Sequence, residues 1–329
     1  MNPDPLRGAT PPVPPAVLAA YPPAVRDCRW APLPPGGGLS GGQVWRGELH
    51  GEPLFALKRW PASHTPERMR LVHERIGVTT ELQFTPRLLP TLARTTSVVH
   101  DGRCWDVTTW LDGTPDLLAR TSRSQLRAAG AALAHLHHLW LPGNIQLAPC
   151  SAVARRLALL NEWAGTRFRF EGPVDVAEEL ERSLALVRDR LQATRTELRR
   201  CEPIRGRVVA IHGDFWPENV LFRQEMLTGV LDFGNVGVDH PEVDLGRLLA
   251  DVPGVERTDV DAAVSGYNSN APFELSVPLV QLLAASGRLG SLANWHLRLS
   301  TGSPDTHLLP AALPRVRRLV SLVEAGTGH

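Results

Sequence analysis

Polar and apolar positions alternate along QVWRGEL and PLFALKRW, residues 43–49 and 53–60, with His50-Gly51 between them. A period of two marks strands, so this stretch predicts a β-hairpin whose second strand carries Lys58. Thr65 and Pro66 then suit a cap and a first helical position, and the helix they open runs to about Glu81. TSVVHDGRCWDVTTWLDG reads as two further strands joined at His100-Asp101-Gly102. From Ser122 the period changes: Leu126, Ala129, Leu133, Leu136 and Trp140 recur at helical spacing, as do apolar positions in the charged stretch 174–200. Short β-branched runs (Val208 to Ile211, Val220 to Phe222, Gly229 to Leu231) interrupt this helical half once, and from Pro272 onward helices return and end near Glu324. The pattern is α+β: a small antiparallel sheet with one helix over 36–111, then a larger, mainly helical lobe over 112–329. Prolines crowd residues 1–35, which predicts an extended tail outside the fold with at most a short helix around Val17 to Ala20.

A chain of 329 residues is long enough to bury two cores. A formal net charge of +1 with interspersed signs leaves no basic stripe for a nucleic-acid backbone. Cys28, Cys104, Cys150 and Cys201 lie far apart without a C-x-x-C pair, which predicts reduced thiols rather than a zinc knuckle or a disulfide framework. The N-terminus lacks the basic start and apolar stretch of a signal peptide, and no apolar run reaches the about 18 residues of a membrane span. A cytoplasmic protein with no membrane partner is expected.

The strand-and-loop interruption holds the candidate chemistry. In His212-Gly213-Asp214-Phe215-Trp216-Pro217-Glu218-Asn219 a carboxylate and an amide sit five residues apart on one loop, and Asp232-Phe233-Gly234 begins thirteen residues after Asn219, past another short strand. Two carboxylates and an amide oxygen at strand ends suit a hard, oxygen-preferring cation such as Mg²⁺, with room for phosphate oxygens beside it. In the first half, the Gly-rich turn from Gly36 to Gly42, with Ser40, Gly41 and Gly42 at its end, lets amide groups approach phosphate oxygens. Lys58, sixteen residues beyond Gly42, adds a point charge.

These segments resemble the aminoglycoside phosphotransferase and choline kinase family, whose pattern is H-G-D-x-x-x-x-N followed by a D-x-G metal site. The resemblance implies a protein-kinase-like bilobal fold and an ATP-dependent phosphotransferase acting on a hydroxyl of a small molecule, with ATP and Mg²⁺ as cofactors. It implies that Asp214 accepts or orients the hydroxyl proton and that Asn219 and Asp232 hold Mg²⁺. It makes Thr109 to Leu111 the hinge whose backbone meets adenine, Thr109 and Leu111 included. It makes Glu74 the helix partner of Lys58, although Glu67 and Glu81 share its helical face by spacing. Ala132-Leu133-Ala134-His135-Leu136-His137 looks like the family's L-A-x-L-H helix, with structural histidines. Nine residues separate Gly234 from Asp244, too few for the activation segment of an enzyme that phosphorylates proteins. Asp244 reads as a brace for the catalytic loop, with a metal or substrate role as the other option.

Two competing classes are a pseudokinase scaffold, which normally lacks the base, the metal ligand or the lysine, and a metal-dependent hydrolase using His212, Asp214, Asp232, Asp239 and His240. Between Asp232 and Asp261, eight acids face two arginines, a balance that would draw a cationic amine such as an aminoglycoside unless those acids are structural. Trp295, His296 and Tyr267 are expected to line the acceptor pocket.

Overall fold

The computed structural model describes residues 12–34, 42–141, 146–170, 173–303 and 308–325. The chain divides into two compact units, Met1–Asp112 and Gly113–His329.

Among the described residues, the first unit is built on a five-stranded antiparallel sheet of β1 (Arg29–Pro32), β2 (Gln43–Leu49), β3 (Glu52–Arg59), β4 (Val98–His100) and β5 (Arg103–Thr109), in the order β1-β2-β3-β5-β4. Its two tight hairpins use the predicted residues. His50 and Gly51 have φ of 55° and 87°, and Asp101 and Gly102 have φ of 48° and 65°, the left-handed pair that matches strand twist.

The proline-rich start corrects the expectation of an extended tail. Helices α1 (Pro15–Ala19) and α2 (Pro23–Arg26) each carry proline at the first helical turn, where a missing N–H costs nothing. They deliver Val13, Val17, Tyr21 and Val25 onto Trp45, Leu57, Trp105 and Val107, closing the core on one face of the sheet. Trp45 and Trp105 stack there with centroids 5.3 Å apart.

The buried residues of α3 (Pro66–Gly77) are Met69, Val72, His73 and Ile76. Thr65 caps it by accepting the Arg68 N–H at 3.3 Å. The helix stops at Gly77, short of the expected Glu81.

In the second unit, α4 (Arg123–Leu139) begins at Ser122, whose side chain accepts the Gln125 N–H. Two small sheets follow among the described residues: β6 (Gln146–Pro149), β7 (Arg205–Ile211) and β10 (Gly237–Asp239) in the order β10-β7-β6, and the hairpin of β8 (Val220–Arg223) with β9 (Met226–Val230). Helices α5 (Ser151–Gly165), α6 (Val174–Cys201), α7 (Glu242–Asp251), α8 (Arg257–Asn268), α9 (Val277–Leu299) and α10 (Leu309–Ala325) supply the bulk. Small residues set how closely these helices approach. A Cβ on Gly130 of α4 would fall 2.1 Å from the Ala263 carbonyl of α8, and one on Gly246 of α7 would fall 2.6 Å from the Leu283 side chain of α9. Cys28, Cys104, Cys150 and Cys201 are free thiols. Among the described residues no helix is long and apolar enough to cross a membrane.

Candidate functional site

The β8–β9 hairpin explains how residues thirteen apart in sequence become neighbours. Val220 pairs with Val230 at its open end, and the Leu231 N–H donates to the Asn219 carbonyl at 2.8 Å. Asn219, just before one strand, and Asp232, just after the other, therefore emerge side by side. Asp232 takes a left-handed backbone, φ 56°, and its Oδ1 accepts the Gly234 N–H at 3.3 Å. The Asn219 amide donates from Nδ2 to the Asp214 carbonyl at 2.9 Å, which leaves its Oδ1 as an oxygen ligand atom. One carboxylate and one amide oxygen side by side fit a divalent cation that keeps several of its own waters and takes phosphate oxygens beside them.

The Asp214 carboxylate is fixed from three sides. Its Oδ1 accepts from Arg247 Nη1 at 3.0 Å and from the Trp216 indole N–H, and its Oδ2 accepts from Asn235 Nδ2 at 3.1 Å. The Arg247 guanidinium lies 4.8 Å from the centre of the Trp216 ring, so indole and cation hold each other. Gly213 has φ of 76°, and a Cβ there would sit 2.1 Å from the Asn235 carbonyl; the loop closes only around glycine.

Behind the loop, fully buried Asp244 performs the bracing role expected of it. Its Oδ2 accepts the His212 backbone N–H at 2.6 Å and His137 Nε2–H at 3.1 Å, and its Oδ1 accepts the Gly213 N–H at 2.8 Å. Burial alone would push this carboxyl up, yet the hydrogen bond and charge of His137, the charge of His212 and the Gly213 N–H hold it below the ordinary carboxylate value. His137 passes its Nδ1 to the Tyr267 hydroxyl at 2.9 Å.

The buried His212 ring is committed at both nitrogens. Nε2–H donates to the Leu231 carbonyl at 3.0 Å and Nδ1 accepts the Asp214 N–H at 3.2 Å. Burial pushes its pKa down, against the pull of Asp244, Asp214 and Asp232. His240 bonds the Ala148 carbonyl, and Asp239 is spent on Arg155 and the N–H groups of Ser151 and His240. The hydrolase ligand set is thus dispersed into structural bonds. Among the described residues no group of three or more His, Cys, Asp or Glu side chains is arranged to hold a metal.

In the first unit, Lys58 is half-buried on β3 with its Nζ 3.7 Å from the centre of the Trp60 ring. The structure places Glu74 on the outer side of α3. It is exposed, and at about 100° per residue it falls roughly 150° round the axis from the centre of the buried stripe; Glu67 and Glu81 are exposed too. The α3 side chain that reaches the sheet is His73. Its Nε2 meets Asp106 Oδ2 at 2.9 Å, its Nδ1 meets Thr96 Oγ1 at 2.7 Å, and the Trp60 indole N–H donates to the same Asp106 oxygen at 2.7 Å. Asp106 lies directly across the ladder from Lys58. Sequence reasoning missed this buried network, although the spacing Met69, Val72, Ile76 admits His73 to the stripe and excludes Glu74.

The Thr109 N–H donates to the Arg87 carbonyl and its hydroxyl oxygen accepts the Arg87 N–H, so its backbone N–H is committed within this unit. Leu111 is half-buried at the end of this unit. Gly42 has only ordinary contact distances around a hypothetical Cβ, and Ser40 and Gly41 lie outside the described residues. Trp295, His296 and Tyr267 are buried in the helical core: His296 sits between Trp163 Nε1 at 3.1 Å and Ser183 Oγ at 2.6 Å.

An antiparallel sheet with one packed helix, followed by a helical unit whose loop and hairpin present Asp214, Asn219 and Asp232, defines a kinase-fold phosphotransferase. Residues 33–276 match the phosphotransferase enzyme family, and the chain belongs to it. Solved structures agree in fold. An aminoglycoside phosphotransferase from Alicyclobacillus acidocaldarius is 18% identical with a TM-score of 0.58, covering 98% of this chain and 97% of that one. Spectinomycin phosphotransferase in complex with ADP and spectinomycin is 12% identical with a TM-score of 0.65, covering 92% of each chain. Amicoumacin kinase in complex with AMP-PNP and Ca²⁺ is 13% identical with a TM-score of 0.58, covering 95% of this chain and 91% of that one. No curated protein matches the chain by sequence.

Proposed function

We propose that the protein transfers the γ-phosphoryl group of ATP to a hydroxyl of a small molecule, with Asp214 orienting and accepting the hydroxyl proton, Asn219 and Asp232 holding Mg²⁺, and Lys58 engaging phosphate oxygens. The observation that carries this reading is the hairpin, whose two open ends bring Asn219 and Asp232 together while Asn219 also ties back to the backbone of Asp214. The Mg²⁺-ATP complex, when bound, supplies the phosphoryl group and neutralises charge on it. What remains for the chain is positioning. The three hydrogen bonds to Asp214 fix the plane of its carboxylate, and the Asp244 brace holds the backbone on which it stands. The nucleotide and divalent-ion complexes of the fold relatives support the same choice of cofactors.

Retention of Asp214, Asn219, Asp232 and Lys58 weighs against a role as scaffold alone. The test is a divalent-ion titration of acceptor-independent ATP hydrolysis and of transfer to a pooled acceptor library. Asn219→Ala and Asp232→Ala should raise the Mg²⁺ concentration for half-maximal rate at least about tenfold, the effect of one lost charge-assisted contact or more. An unchanged Mg²⁺ requirement in both would reject these ligands.

A further inference from the structure

A cavity of about 220 Å³ adjoins the catalytic loop, walled by Arg156 of α5, Trp216, Arg247 of α7, and Ser286, Ser291 and Asn294 of α9 among others. Trp216 and Arg247 are the two side chains bonded to Asp214 Oδ1, so the cavity is one side chain away from the proposed base. Among the described residues its wall carries two guanidinium groups and no carboxylate.

Arg156 is the unusual member. Its Nη1 donates to the Leu283 carbonyl at 2.5 Å and to the Ser286 hydroxyl at 2.8 Å, both neutral acceptors, and it forms no ion pair with a described residue. Burial, then the charge of Arg247, pushes its pKa down to about 10, so it remains a cation at neutral pH. A half-buried cation with no carboxylate of a described residue in contact is stabilised when a ligand provides a counter-ion.

The acid-rich stretch from Asp232 to Asp261 lends no carboxylate to this wall, and five of its eight acids are spent elsewhere; Arg247 shares its charge with Asp214, which leaves Arg156 as the wall's unpaired cation among the described residues. Asp239 holds Arg155, Glu242 accepts the Ser276 N–H, and Asp244 braces the loop. Glu256 and Asp259 form the capping box of α8 and pair with Arg123.

We infer that the acceptor carries an oxyanion, a carboxylate or a phosphate monoester, which Arg156 and Arg247 receive in this cavity while its hydroxyl is presented to Asp214. The inference rests on the phosphotransfer reading above and narrows its acceptor. The volume suits a small hydroxylated anion, below the about 300–1,000 Å³ of drug-sized sites. A polycationic aminoglycoside would meet like charge at this wall.

The test compares wild type with Arg156→Gln in the presence of Mg-ATP and two acceptor pools of matched size. One pool holds hydroxylated carboxylates and phosphate monoesters, the other neutral and amine-bearing polyols. Products are identified by mass spectrometry, which also separates carboxylate from phosphate ester, and the compound found is taken to full kinetics. The expected product comes from the anionic pool. Arg156→Gln should raise its KM about 10- to 100-fold, with kcat within a few-fold and the KM for ATP unchanged, the signature of lost acceptor binding. Arg156→Lys, which keeps the charge, should lose less. Ser291→Glu places an acid on the same wall without disturbing the packing of Arg156, and should weaken the same acceptor even where Arg156→Gln folds poorly. A product from the neutral or amine pool alone, or a KM that both Arg156→Gln and Ser291→Glu leave unmoved, overturns the inference and leaves the kinase reading standing. Failure of wild type to bind Mg-AMP-PNP by calorimetry overturns both.

Discussion

Replacing Asp244 by Asn changes one oxygen for an amino group at a point fully shielded from water where three donors converge. The amide does best by turning its amino group toward Gly213 and keeping Oδ2-like contacts to His212 N–H and His137. The Gly213 N–H then loses its acceptor and faces another donor, which costs about 1–3 kcal/mol, and two charge-assisted bonds become neutral ones at about 1 kcal/mol each. The relieved burial of a charge offsets part of this, so a net loss of about 3 kcal/mol is expected, a large share of the about 5–15 kcal/mol of a typical domain. Urea unfolding at pH 7 measures it, read as a lower midpoint at unchanged slope. The linkage has a definite sign. The Asp244 carboxyl sits below its unfolded value, so its contribution is present above about pH 4 and is lost as pH falls through the lower folded value. Because the loop carrying Asp214 hangs on these two N–H groups, transfer should fall about 100-fold with a displacement on the order of 1 Å. Stability within about 1 kcal/mol of wild type together with an undiminished rate would refute the bracing argument.

Further outcomes follow from the same geometry. Burial, with a smaller push from Arg188, takes His296 down to about 3, so the folded state holds it neutral. The unfolded chain then takes up the proton as pH drops below about 6.5, and stability falls by about 1.4 kcal/mol per pH unit, near 2 kcal/mol by pH 5. Denaturant titrations at pH 7 and 5 should show this slope in wild type and a shallower one in His296→Gln, where His212, also pushed down by burial, still contributes. Gly130→Ala must part α4 from α8 and should cost about 1–3 kcal/mol, seen as a lower Tm. Asp106→Asn breaks the convergence of Trp60 and His73 on one oxygen and should cost about 2–3 kcal/mol, whereas exposed Glu74→Gln should stay within about 0.5 kcal/mol of wild type in the same urea titration.

Asp214, Asn219 and Asp232 were legible in the sequence because residue type, spacing and intervening strand runs all bear on one short segment, and the hairpin that joins them is local. Asp244 was legible for the same reason. The proline-rich start misled because prolines were counted as helix breakers, whereas Pro15 and Pro23 open helices and free Val17, Tyr21 and Val25 to close a core. The Trp60, His73, Thr96 and Asp106 network joins residues 23 to 46 positions apart, and the strand register that aligns Lys58 with Asp106 is not visible in a pattern of alternation alone. The acid excess over 232–261 pointed toward a cationic acceptor, but net charge in a window does not reveal which carboxylates already hold backbone N–H groups. Arg156 and Arg247, ninety-one positions apart, meet at one cavity only through the packing of α5, α7 and α9.

The central claim is that Asp214 serves phosphoryl transfer to a hydroxyl. Its most direct test is to measure, for wild type and Asp214→Asn, both Mg-AMP-PNP binding by calorimetry and the phosphorylated product formed from Mg-ATP. The account predicts nucleotide affinity within a few-fold in the two proteins and a product rate lower by about 10² to 10⁴ in the variant. A variant that binds the nucleotide and forms product at the wild-type rate would contradict it.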